Sequence, residues 1–148
     1  MRIIYSCYWG SYLAVVAASL HLGLIEEFDR RSILQLPYFG KLPEDELGRI
    51  YYMGTDDMGR RVYIMGSRKA GGVVERALKG IARIYDMGEN SVAFADLLPY
   101  GNAFYSIGCF IIRRLNLKTA GNAFLILGLK KSFEKIKRFV EEVKEKSV

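Results

Sequence analysis

The sequence predicts an α/β fold: a three-layer sandwich with helices on both faces of a mostly parallel sheet. Three observations lead there. Short runs rich in β-branched and aromatic residues alternate with longer segments of helical apolar spacing. The first β-rich run is apolar on both faces, as in a strand buried within a parallel sheet. Strands alternating with helices of this length imply helices packed on both sides. The 148 residues suit a single domain over 1–148, large enough to bury a core without disulfides or metals.

Residues 2–8 (RIIYSCY) read as the first strand. Residues 12–22 set Leu13, Val16, Ala17 and Leu20 on one helical stripe, and Gly23 ends that helix. Asp29 is placed to cap a short helix through Leu36, which Pro37 stops. Pro43 followed by Glu44, Asp45 and Glu46 reads as a first helical turn, with acids on the positive end of its dipole. Residues 49–53 and 61–65 are the strands of a hairpin around Gly54, Thr55, Asp56, Asp57 and Gly59; the two acids are turn formers. Residues 70–86 form a helix with Val73, Val74, Ala77, Leu78, Ile81 and Tyr85 inward, and 91–96 a short strand ending in Asp96. Residues 102–115 form a helix capped by Asn102, with Phe104, Ile107, Ile111 and Leu115 in line. Residues 122–127 (NAFLIL) read as a further strand, and 130–146 as a final helix burying Phe133, Ile136, Val140 and Val143. The order is β-α-ββ-α-β-α-β-α, giving about five strands, one hairpin among them.

The net charge of +6 favours anionic partners. The basic residues are dispersed in pairs such as Arg30-Arg31 and Arg113-Arg114 without a nucleic-acid motif, so nucleic acid is not expected as a partner. Two cysteines, Cys7 and Cys109, and one histidine, His21, make neither a disulfide framework nor a zinc site. A reduced, cytoplasmic protein without a bound metal is expected; a cofactor is left open. Arg2, the following apolar residues and Ala17-Ala18-Ser19 mimic a leader peptide, but Gly10-Ser11 splits the run. No membrane span is expected, since no stretch of ~18 apolar residues is uninterrupted.

In an open parallel sheet, ligands bind outside the carboxyl ends of the strands. Three such places carry chemistry here. In the loop Cys7-Tyr8-Trp9-Gly10-Ser11-Tyr12, Gly10 permits a tight turn, and the next helix starts near Ser11 with free N–H groups that attract an anion. That positive end would lower the pKa of Cys7 if its sulfur points into the loop, making a nucleophile. Tyr8, Trp9 and Tyr12 are placed to stack on a ligand ring or pack against a partner. Asp96, at the end of its strand, can serve as general acid. Lys130, between the last strand and helix, faces the same crevice. His21 lies deep in the first helix and reads as a packed or hydrogen-bonded residue, and Cys109 as core.

Two readings follow. In the first, the protein binds a phosphate-bearing or other anionic small molecule at the loop after strand 1, with phosphoryl or acyl transfer through Cys7 as the sharper form. In the second, it is a non-enzymatic interaction protein, its aromatic loop and helix 102–115 forming a partner or homodimer surface. The residues do not decide whether it is an enzyme.

The Cys7–Ser11 loop resembles the active loop of the sugar-phosphotransferase IIB proteins and, more distantly, of the low-molecular-weight tyrosine phosphatases. Both place a Cys after the first strand and a loop of small residues before a helix. The phosphatase pattern adds an Arg to that loop, and here no Arg lies between Cys7 and the end of the helix. The chain as a whole resembles a bacterial domain-of-unknown-function family, DUF3189. The resemblance rests on IIYSCYWGSYLAVVAASLHLG at 3–23, LPYF at 36–39, GRIYYMGTDDMGRRVYIMG at 48–66, DLLP at 96–99 and GCFIIRRL at 108–115. It implies a small single-domain cytosolic protein and brings no established activity.

Overall fold

A computed structural model describes residues 1–43 and 48–147, so the helical turn expected at Glu44-Asp45-Glu46 lies outside the described residues. The sheet has four strands, β1 (Arg2–Cys7), β2 (Ile50–Thr55), β3 (Arg61–Gly66) and β4 (Val92–Asp96), in the order β2-β3-β1-β4. β1 runs parallel to β3 and β4, while β2 closes the hairpin antiparallel to β3. The helices are α1 (Leu13–His21), α2 (Arg30–Leu34), α3 (Gly71–Ile84), α4 (Ala103–Arg114) and α5 (Lys118–Lys146).

β1 is central and buried on both faces, which explains its continuous apolar run. Ile3, Tyr5 and Cys7 point to one face, where α1 and α5 complete the main core with Val62, Ile64, Leu125, Leu129 and Phe133. Every residue of α1 is buried. Ile4 and Ser6 point to the other face, on which α3 lies; Gly71 at its start abuts the Asp96 side chain. The chain thus leaves β1 and β3 toward opposite faces, and their carboxyl ends flank a crevice.

Several expectations change. Residues 122–127 are not a strand but part of α5, which runs unbroken for 29 residues. The sheet therefore has four strands, and Lys130 sits within a helix, exposed, away from any strand end. The reason is in the glycines. A Cβ on Gly121 would collide with the Ile112 side chain, one on Gly128 with the Tyr105 backbone, and one on Gly108 with the Leu125 backbone. These glycines let α4 and α5 approach backbone to backbone. α4 accordingly buries Tyr105, Gly108 and Cys109, while Ile107 and Leu115 of the expected stripe are exposed. α3 buries only Gly71 and Ala82; Val73, Ile81 and Tyr85 are more than half open or nearly so. Asp29 and Asn102 do cap their helices, accepting from the Ser32 and Tyr105 N–H groups. Among the described residues, no helix is long and apolar enough to cross a membrane.

Candidate functional site

The loop after β1 crosses the end of β3 at contact distance. Gly10 has φ +78°, and a Cβ there would lie 2.7 Å from the Gly66 nitrogen. Glycine is required on both counts. The Ser67 and Arg68 N–H groups donate to the Cys7 and Tyr8 carbonyls, both at 3.0 Å, which locks this loop to the one after β3. Arg68 takes a left-handed φ of +48° to make that turn, which presents Lys69 at the surface.

Cys7 is fully buried. Its sulfur accepts the Gly10 N–H at 3.1 Å, and the N–H groups of Ala14, Tyr12 and Trp9 also favour its charge. Burial outweighs them and pushes the thiol pKa up. The mouth of α1, expected to hold an anion, is filled by the chain's own sulfur, and the thiolate a nucleophile needs is disfavoured. Ser11 is also buried: its hydroxyl accepts from Leu42 N–H at 3.2 Å rather than facing solvent. Tyr12 packs edge-on against Phe39 and Tyr105.

Asp96 does not join Cys7. In the β1–β4 register it is the partner of Ser6, and neighbours in register share a face, so its carboxylate stands on the side opposite the sulfur. It accepts the Leu98 N–H at 3.0 Å and lies against the first turn of α3.

The open space lies beside the loop. A cleft of about 430 Å³ is lined by Tyr8 and Trp9 after β1, Lys69 after β3, Leu98 after β4, and α4 residues including Arg113 and Arg114. Arg113 lies over the Trp9 ring, 4.9 Å from its centroid, and over Tyr12 at 5.8 Å. It makes long contacts to Ser11 Oγ (3.4 Å) and the Leu42 carbonyl (3.5 Å), and its buried Nε–H has no acceptor. Among the described residues, no carboxylate forms an ion pair with Lys69, Arg113 or Arg114. The arginine that the loop itself lacks therefore arrives from α4, a hundred residues downstream and invisible to a reading of local motifs. Cys109 lines the same cleft, but burial holds its thiol up at about 12. Of the predicted ligand residues, Tyr8 and Trp9 line the cleft, Gly10, Ser11 and Tyr12 support it from behind, and Lys130 is remote.

A second polar cluster stands at the other end of the sheet. The Tyr5 hydroxyl is 2.8 Å from His21 Nδ1, and His21 Nε2 is 2.8 Å from Asp56 Oδ2. Arg60 Nε donates to the same oxygen at 2.6 Å, while Met58 N–H and Arg60 N–H donate to Oδ1. Arg60 also donates to the Lys144 carbonyl of α5 at 2.9 Å. An ionised Asp56 only accepts, so Nε2 carries the imidazole proton and Nδ1 accepts from Tyr5. Burial lowers the His21 pKa, and hydrogen bonds from His21 and Arg60 hold the Asp56 carboxyl well below its usual range despite desolvation. Asp56 makes the turn bonds its residue type predicts, but it also joins the hairpin to α1 through His21, while Arg60, which it holds, reaches α5. The signal for this was the phrase MGTDDMGRR, where a second acid and an adjacent basic pair exceed what a turn needs.

Comparison with curated proteins and with solved structures finds no match to the chain. A family model described as a protein of unknown function, DUF3189, matches residues 2–145, nearly the whole fold including both polar clusters, and the chain belongs to that family.

Proposed function

We propose that the protein binds an anionic small molecule in the cleft beside the loop after β1, one that joins a phosphate or carboxylate to a planar or apolar body. One observation carries this reading. Three cationic side chains without acidic partners among the described residues surround an aromatic-lined cleft at the carboxyl ends of three parallel strands. Arg113 supplies a planar guanidinium already held against Trp9 and Tyr12, so little of its freedom is lost on meeting an oxyanion. Tyr8 and Trp9 stack edge to face at 4.8 Å and offer an apolar wall for the ligand body. Burial of Cys7, and the placement of Asp96 on the opposite face of the sheet, support recognition rather than nucleophilic attack.

Trp9 is the only tryptophan, so its fluorescence reports on this cleft directly. Phenyl phosphate, inorganic phosphate and phenol are titrated into the full chain at low and high salt. Saturable quenching is expected with phenyl phosphate, weaker quenching with inorganic phosphate and none with phenol. The paired substitution Lys69→Ala and Arg114→Ala should weaken phenyl phosphate by about tenfold or more, as loss of charge-assisted hydrogen bonds does. No saturable change, or an unaltered affinity in the double variant, overturns the reading.

A further inference from the structure

β4 is an open edge of the sheet, and it differs from the edge at the other side. On β2 the ladder is broken by a bulge between Tyr52 and Gly54, a feature that blunts pairing with another chain. β4 has the sequence VAFAD, with no proline, no glycine and no charge before its last residue, and its register with β1 is unbroken. Leu97 N–H donates to the Ser6 carbonyl at 2.7 Å. Alternation along the strand then turns the N–H and C=O groups of Val92, Phe94 and Asp96 outward, away from β1. Beside this edge runs a groove of about 560 Å³, walled by Glu75 and Lys79 of α3 on one face and by Phe139 and Val143 of α5 on the other.

We propose that a second copy of the chain occupies this groove, β4 pairing antiparallel with β4 of the second copy to make one continuous eight-stranded sheet. An isologous contact requires a patch complementary to itself. The outward donors and acceptors at Val92, Phe94 and Asp96 are spaced symmetrically about Phe94, so a two-fold axis there brings each donor to an acceptor. The same axis sets the two Phe94 rings across from each other, a favourable cross-strand pair. Charge agrees. Each α3 wall carries an acid and a base, Glu75 and Lys79, 2.7 Å apart and well exposed. Two α3 helices related by the axis run antiparallel, so the acid of one copy meets the base of the other. The α5 wall adds Lys146 to this rim, and without Glu75 the rim's charged side chains would all be cations, opposing self-association in a chain of net charge +6.

Light scattering coupled to size exclusion on the full chain tests this over a range of concentration. The expected mass rises from 16.8 kDa toward twice that value. Exchange of the Phe94 and Asp96 amides should slow over the same range. Lys79→Glu, on an exposed position that leaves the monomer intact, should weaken dimerisation by about tenfold or more. Adding Glu75→Lys to it should restore pairing. Phe94→Pro removes an outward N–H without touching the β1–β4 ladder and should abolish the dimer; if that variant does not fold, Lys79→Glu decides. A monomer at every concentration, or a dimer that Lys79→Glu leaves unchanged, overturns the proposal.

Discussion

At the amino end of the sheet, His21, Asp56 and Arg60 find their partners within the chain. At the carboxyl end, Lys69, Arg113 and Arg114 find no carboxylate among the described residues. Both groups hang on the same central strand, β1, through Tyr5 at one end and the Cys7 loop at the other. The contrast separates charge bound into the fold from charge left without an acidic partner among the described residues. Asp56 accepts two hydrogen bonds on each oxygen and ties the hairpin to α1, and Arg60 carries the link on to α5. The cleft cations are spread over one loop and one helix; Arg113 is held against Trp9, Tyr12, Ser11 and the Leu42 carbonyl, while Lys69 and Arg114 stand at the surface.

The sharpest way to break this comparison is Asp56→Ala. It leaves a buried imidazole and a guanidinium without their acceptor, and a loss of about 3–5 kcal/mol is expected, measured by denaturant unfolding. The Trp9 response of the folded fraction should survive. A loss below about 1 kcal/mol would place the Asp56 cluster with ordinary surface turns.

The next effect is on pH. His21 has a folded pKa below its ordinary 6.5, because burial disfavours the imidazolium. The unfolded chain therefore takes up this proton first as pH falls. The contribution is fully present above 6.5 and is lost as pH drops from there toward the folded value, with a slope of at most about 1.4 kcal/mol per pH unit. Asp56, held low, contributes above its ordinary 3.8 and loses that contribution only at lower pH. Stability curves of the protein and of His21→Asn should diverge in slope just below 6.5, and parallel curves would remove His21 from the account.

The smallest effect tests the other end. Lys69→Ala and Arg114→Ala should each change thermal stability by less than about 0.5 kcal/mol, since neither side chain anchors an element. A larger change would mean that these cations serve the fold.

How much of this was legible in the sequence follows from what each residue needs locally. β1, α1, the hairpin and both helix caps depend on neighbours a few residues apart, and their patterns predict them. The run NAFLIL does not carry its own answer: five apolar residues after Asn122, between two glycines, fit a buried strand as well as a helix. Only contact with α4 decides, because that contact needs Gly121 and Gly128. Cys7 and Asp96 both end strands, yet a one-residue difference in register sends them to opposite faces, and register is set by pairing rather than by position in the chain. The cleft itself was half visible. Tyr8 and Trp9 belong to the loop that drew notice, whereas Lys69, Arg113 and Arg114 reach it from elements that are distant in sequence.

The close seating of α4 on α5 has a consequence for the shape of the cleft. Arg113 enters the cleft from the last turn of α4, so the glycines that fix the separation of the two helices also set how far its guanidinium projects. One methyl group added at Gly121, outside the cleft lining, would press on Ile112, the residue before Arg113, and shift that guanidinium. The seam between two helices thus sets the depth of a cleft side chain, with the β1 loop untouched.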